Sequence, residues 1–266
     1  MKHLAISVLV AAVLAGASAA PAAEVLFQDG LNSYAGTEDT SLVQNAANNN
    51  YGGRTTLIMG PPGSGQQRAP IIQFDLSSIA GQYESIESMK LRFWVSNTSS
   101  SATFNLNLLR EGNAGWVEGS SNGTTETGTS TWNYRVYNTQ QWLGGTSGAR
   151  LAADVYGAVA TFTLSTATTP VGTMVEINVD PAALAANVDT LTEIVDLWTR
   201  GGGSDNAGFQ IYGGYNASWQ VHSSESATPA MRPQLVIEYS PIPEPASALL
   251  LVLGALAASA RRRRWK

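Results

Sequence analysis

The sequence contains no cysteine, and its 266 residues include only two histidines, His3 and His222. The absence of thiols excludes a disulfide framework, a Cys-ligated zinc site and cysteine-based catalysis together. Charge is also sparse, at 13% of residues, whereas 44% are hydrophobic. A disordered chain would be poorer in aliphatic and aromatic residues, so wholesale disorder is excluded. The length allows one large or two small domains, with ample apolar material for a core.

What is present begins at the two ends. Met1–Ala23 runs from Lys2 and His3 through a mostly apolar stretch, Leu4 to Leu14, into Ala, Gly and Ser. That order is the pattern of a secretory signal. Cleavage after Ala22 or Ala23 fits, because a cut after Ala20 would leave Pro21 beside the scissile bond. The apolar stretch is too short to span a ~30 Å hydrocarbon layer. At the other end, Pro243-Glu244-Pro245 precedes an uncharged run, Ala246 to Ala260, and then Arg261, Arg262, Arg263, Arg264, Trp265 and Lys266. The arginines favour the cytoplasmic side, which places the body of the protein outside. This tripartite ending resembles the PEP-CTERM sorting signal, in which an exosortase cuts at the Pro-Glu-Pro motif; an ordinary tail anchor is the alternative. The expected organisation is a signal peptide at 1–23, a domain at 24–240 and a sorting segment at 241–266.

The ends hold Lys2, Arg261 to Arg264 and Lys266, six of the fifteen basic residues, while all twenty acids lie within Glu24–Glu244. The body between them therefore carries nine basic against twenty acidic residues, net −11. Such a surface repels nucleic acid and anionic membranes. Contact with a membrane is expected only through the C-terminal segment before processing. Loss of His3 leaves His222 alone, which excludes a zinc site with several His ligands.

Between residues 24 and 240 the pattern is mostly β. Short runs rich in Val, Ile, Phe, Tyr and Trp recur at Val25–Gln28, Thr55–Met59, Pro70–Phe74, Met89–Val95, Thr103–Leu109, Ala158–Leu164, Thr173–Val179, Gly208–Tyr212 and Gln234–Tyr239. Gly, Asn, Ser and Thr clusters separate them, as in antiparallel sandwiches. In Thr103–Leu109, Phe104, Leu106 and Leu108 share one face while Asn105 and Asn107 take the other. One helix is expected: Asp180 caps it, Pro181 occupies its first position, and Leu184, Val188, Leu191, Val195 and Trp198 recur at helical spacing. Gly201-Gly202-Gly203 ends it. The expected fold is all-β, a jelly-roll-like antiparallel β-sandwich with one short helix.

A set of motifs runs through this body. They are Tyr34-x-Gly36-Thr37-Glu38-Asp39-Thr40, Asn50-Tyr51-Gly52, Arg68 with Phe74-Asp75-Leu76-Ser77-Ser78-Ile79, and Lys90-Leu91-Arg92-Phe93. Further on come Trp116-x-Glu118, Thr131-Trp132-Asn133, Trp142-x-Gly144-Gly145, Asn206-x-Gly208-Phe209, and Ser223-Ser224-Glu225 before Arg232-Pro233. Together they resemble the DNRLRE family of extracellular β-sandwich domains. That family is similar to a group of carbohydrate-binding modules, some associated with alginate, and to disaggregatase-related domains. The resemblance covers most of residues 25–240. The chain departs from it at two insertions, Gly119 to Ser130 and Gly145 to Val159, where glycan specificity cannot be carried over.

Among residues matching the motifs, Arg68 and Glu225 are expected to pair, since a sandwich buries such charges only as partners. Glu38, Asp39 and Asn45, with Asn48 and Asn49, offer hard oxygens suited to calcium in what reads as a loop. Glycan recognition needs flat aromatic faces flanked by polar groups. The candidates are Tyr134, Arg135, Tyr137, Trp142, Tyr212, Tyr215 and Trp219, with Tyr134, Tyr137, Tyr215 and Trp219 expected at the surface. Trp116, Trp132 and Trp198 are expected in the core. Arg135, between two tyrosines, is the best-placed cation for a polyanion, yet the acidic body suits a neutral glycan at least as well.

An enzyme is the competing class. Glu118 with Glu126 or Asp205 offers paired carboxylates for glycoside hydrolysis, and His222 with Tyr212 the sketch of a lyase base. Neither reaches motif grade, and no catalytic residue is assigned. The expected function is non-catalytic: an exported protein of the cell surface, outer membrane or extracellular matrix of a Gram-negative-type bacterium, associating with polysaccharide. Its expected partners are that polysaccharide, the secretion machinery and an exosortase-type enzyme, with transient anchoring in the inner membrane. A purely structural matrix protein is the alternative.

Overall fold

A computed structural model describes residues 21–61, 66–184 and 188–242. Most of the signal-like segment lies outside the described residues, as do Pro243, Glu244, Pro245, the apolar run and Arg261 to Arg264. Among the described residues no helix is long and apolar enough to cross a membrane.

The strands are β1 (Ala23–Phe27), β2 (Thr37–Val43), β3 (Thr56–Met59), β4 (Arg68–Phe74), β5 (Tyr83–Asn97) and β6 (Ala102–Leu109). They continue with β7 (Val155–Leu164), β8 (Met174–Asn178), β9 (Phe209–Gly213), β10 (Trp219–His222) and β11 (Gln234–Pro241). One antiparallel sheet has the order β1-β11-β5-β10-β3, with β8 also paired to β5; the other has the order β2-β4-β9-β6-β7. The two sheets pack face to face as a sandwich. The 15-residue β5 spans this first sheet, meeting β11 along most of its length and β10 near its end.

Alternation decides which side chains enter. Phe104, Leu106 and Leu108 of β6 are fully buried between the sheets, while Asn105 and Asn107 face the other way. The same core receives Ile72 and Phe74 from β4, Phe209 and Ile211 from β9, and Trp219 and Val221 from β10. Burying each such side chain contributes about 1.5–3 kcal/mol.

The outer face of the second sheet is covered as well. Leu42, Ala69 and Ile71 point outward from β2 and β4 and meet Trp116, Trp132 and Trp142 in a second apolar cluster. Those tryptophans belong to the 110–154 segment between β6 and β7, which has little regular structure of its own. Asp154 anchors it: buried, it accepts hydrogen bonds from Gly144 N (2.7 Å), Ser147 Oγ (2.8 Å) and Leu151 N (3.0 Å). The last residues of the expected second insertion, Val155 to Val159, already belong to β7.

Two local expectations are corrected. Glu38 and Asp39 lie in a strand, β2, paired with β4 from Thr37↔Phe74 to Val43↔Arg68. The helical stripe is also divided. Asp180 accepts from Ala182 N (3.0 Å), but it caps only a 3-10 turn, Pro181–Ala183. The α-helix, α1 (Leu191–Thr199), starts later with its own capping box, Thr190 bonding Glu193 N and the Glu193 side chain returning to Thr190 N. Trp198 lies on its buried face, edge-on to Phe209 with ring centroids 4.8 Å apart. Left-handed backbone at Gly201, Gly202 and Gly203 ends the run.

Candidate functional site

Asp39 faces inward from β2, and two other chain segments converge on it. Glu118, two residues past the buried Trp116, accepts from Asp39 N at 2.7 Å. The turn after β10 brings Ser224, whose N–H donates to Asp39 Oδ2 at 2.8 Å, and Glu225. One carboxylate oxygen from each of Asp39, Glu118 and Glu225 lies within 4.8 Å of the others. Ser224 Oγ sits 2.9 Å from Glu225 Oε1 and 3.3 Å from Glu118 Oε1.

Backbone packing sets Glu118 in place. The Asn50 side chain donates to the carbonyls of Glu118 and Ser130 and accepts from Gly52 N. Gly52 is required there, since a Cβ would stand 2.2 Å from the Glu118 carbonyl oxygen.

The electrostatics follow from burial. Desolvation, then repulsion from Glu225, raises the Asp39 carboxyl well above its ordinary range. Desolvation and the nearby Asp39, Glu225 and Glu38 push Glu118 up to about 9, and burial raises Glu225. The ion pairs among the described residues join Arg92 to Glu176 and Arg200 to Asp205, remote in sequence from this cluster. The expected partnership of Arg68 with Glu225 is not formed. Arg68 donates to Ser218 Oγ at 2.9 Å, and Glu225 turns toward the two other acids.

Glu38 does not join Asp39, because neighbouring residues of a strand point to opposite faces. It accepts from Gln73 and lines a groove of about 640 Å³ on the outer side of β2 and β4. Asn45 is exposed in the 3-10 turn after β2, away from the acid cluster in the strand register. Of the expected calcium set, only Asp39 enters a group of three acids. Sequence reasoning missed its two partners; the Trp116-x-Glu118 and Ser223-Ser224-Glu225 motifs were the available signal.

The groove is polar. Trp198 is 1% exposed and Asn206 7%, and both line it. Trp198 Nε1 and Asn206 Oδ1 are buried and find no hydrogen-bond partner among the described residues. Asn206 Nδ2 is held by the Phe74 carbonyl at 2.8 Å, which fixes the amide's orientation. Glu38 and Asp75 add carboxylates to the lining, and Trp116 and Gly115 close one side.

The aromatic candidates divide. Trp142 and Trp219 are buried, at 2% and 0% exposure, so neither offers a face to a sugar. Trp142 Nε1 donates to the Thr131 carbonyl and Trp219 Nε1 to Ser100, each tying a loop to the core. The expected exposure of Trp219 is thus corrected: it begins a strand with its ring inward. Trp116, Trp132 and Trp198 are buried, as expected. Tyr134 and Tyr137 form a half-buried edge-to-face pair with centroids 5.5 Å apart. Tyr212 and Tyr215 form another at 6.4 Å, with Tyr215 68% exposed and Arg150 over Tyr212. Arg135 is turned away from ligand duty, its guanidinium donating to the carbonyls of Gly112 and Ala114 and to Gln140.

The acid–base sketches do not assemble. Glu126 caps its own loop through Ser120 N and Ser121 N, and Asp205 faces Arg200. His222 and Tyr212 point outward from different sheets, on opposite faces of the sandwich, because Val221 and Ile211 beside them point into the core. His222 instead meets Ser226 Oγ at 3.0 Å, and burial lowers its pKa.

No curated protein matches the chain. Residues 32–144, less than half of its length, match the family described as carbohydrate-binding module family 96. That stretch runs from before β2 to Gly144 and supplies Asp39, Glu118, Glu38, Asp75 and Trp116. A module of this description implies a carbohydrate ligand and is typically non-catalytic; no catalytic domain is matched.

Proposed function

We propose that this chain is an exported, non-catalytic glycan-binding protein of the cell surface or extracellular matrix. Residues 241–266 serve in this reading as a sorting segment processed by an exosortase-type enzyme. The observation that carries the binding role is the match of residues 32–144 to a carbohydrate-binding module. The groove beside β2 and β4 supports it. Its polar lining of Glu38, Gln73, Asp75, Ser77 and Ser204 suits sugar hydroxyl groups, which both donate and accept.

The ligand best suited to this groove is neutral. Glu38 and Asp75 line it, no cationic side chain among the described residues does, and the body is strongly acidic. A polyuronate would meet repulsion in it. The tyrosine pairs Tyr134–Tyr137 and Tyr212–Tyr215 are the second candidate surface, since they keep accessible ring area.

Binding of the full-length protein to immobilised neutral and uronate polysaccharides tests the reading. The expected result is retention by a neutral glycan and none by uronates at low salt. Ser204→Phe, which fills the groove from an exposed turn, is expected to abolish retention without changing the melting temperature. Loss with Tyr215→Ala instead would move the site to the tyrosine pair. Absence of binding to every polysaccharide would overturn the reading in favour of a structural matrix protein.

A further inference from the structure

Three acids of one sign, gathered from three separate segments, need something to hold them together. Asp39 comes from β2, Glu118 from the segment after β6 and Glu225 from the turn after β10. Their mutual approach within 4.8 Å is about twice a calcium–oxygen distance of ~2.4 Å, so all three oxygens can reach one centre. Proximity of acids alone does not make a site. The second observation is that Asp39 is 1% exposed and its Oδ1 accepts no hydrogen bond among the described residues. Glu225 Oε2 is buried and unpartnered in the same way.

Asp154 shows what a settled buried carboxylate looks like in this fold. It is equally inaccessible, yet four donors, Asn113 Nδ2, Gly144 N, Ser147 Oγ and Leu151 N, surround its two oxygens. The Asp39 carboxylate has one backbone donor, Ser224 N, and otherwise faces acids. A buried anion without counter-charge or donors is costly, and its neighbours here add repulsion. Either protons or a cation must supply the missing positive charge.

We propose that Asp39, Glu118 and Glu225 bind one divalent cation, calcium, which clasps β2, the 115–118 segment and the turn after β10. Hard carboxylate oxygens without any thiolate or imidazole select calcium over zinc or copper. Calcium takes six to eight oxygens in flexible geometry, which three carboxylates and water can provide. Ser224 Oγ, already beside two of the acids, is a further oxygen at the site. This site is independent of which glycan binds, or whether one does.

Calorimetric titration and thermal melting of the full-length protein, stripped with chelator and returned to calcium or magnesium, test the proposal. The expected result is one calcium per chain. At hundredfold excess over Kd the melting temperature should rise by about 5–10 °C, with a smaller rise from magnesium. Glu118→Gln and Glu225→Gln keep the shape and hydrogen-bonding oxygen while removing one charge each. Both should melt in chelator at or above the wild-type temperature and lose the calcium response. Should one variant not fold, the other carries the test. No heat of binding and no shift in melting temperature at millimolar calcium would overturn the site and leave shared protons as its resolution.

Discussion

At the scale of single residues, burial and pairing sort the charged groups into three kinds. Asp154 is buried and fully bonded, so it anchors a loop. Arg135 is half-buried and spent on carbonyls, so its charge serves packing. Asp39, Glu118 and Glu225 are gathered with too few donors. Glu38 and Asp29 are the further charges that act on them, and both are acidic. The consequence for stability has a definite sign. These carboxyls are raised in the folded state, Glu118 to about 9. The folded protein therefore holds protons that the unfolded chain releases above the ordinary carboxylate range of about 4. In chelator, the contribution of these groups to stability should be full below about pH 4 and be lost as the pH rises toward 9. Melting curves across this range, with and without calcium, check it; a rise with pH in chelator would contradict it.

The tryptophans show why residue type alone misleads. Trp219 and Tyr215 sit four residues apart, one wholly buried and the other 68% exposed. Strand alternation turns the first inward, while the second lies in the turn before it. No composition of the segment distinguishes them.

At the scale of elements, patterns with a strong period were legible and those with polar faces were not. Nine short apolar runs correspond to β1, β3 to β9 and β11 within a few residues. β2 was missed because Thr37-Glu38-Asp39-Thr40-Ser41 is polar throughout. Its inward face carries Asp39 rather than an aliphatic, and its outward face is covered by the 110–154 segment. β10 was missed because Trp219-Gln220-Val221-His222 alternates apolar with polar residues over only four positions, whereas the equally short β3 carries Leu57, Ile58 and Met59 in a row. The helix failed differently: Asp180 and Pro181 supply valid start signals, but they start a 3-10 turn. The capping box at Thr190 and Glu193 starts α1. Thr190→Ala should therefore cost about 1 kcal/mol in denaturant unfolding, with glycan binding unchanged. An Asp180→Ala change acting on the α-helix instead would reverse that assignment.

At the scale of the whole molecule, the acid cluster and the groove share supports. β2 presents Asp39 on one face and Glu38 on the other, while Gly115 and Trp116 line the groove three and two residues before Glu118. Charge is also organised at this scale, since six basic residues lie outside the acidic body. In the proposed role those basic ends address the membrane machinery and are absent from the working protein. Mass measurement of the mature chain should find an N-terminus after Ala22 or Ala23 and a C-terminus near Pro243-Glu244-Pro245. A mature chain retaining Arg261 to Arg264 would favour a permanent tail anchor.

By itself, the sequence determined the all-β class, the exclusion of thiol and multi-histidine chemistry, and the acidity of the body. Those depend on composition and on the period of two, which survive without knowing who neighbours whom. Tertiary structure alone decided that Asp39 meets Glu118 and Glu225, that Arg68 does not meet Glu225, and that Trp142 and Trp219 are buried. Such pairings join residues 79 to 186 positions apart, and sheet order sets them. No local pattern encodes which segments a sandwich brings to one end. The missing cysteines and scarce charges defined what this protein cannot use; the fold decided where its few buried acids converge.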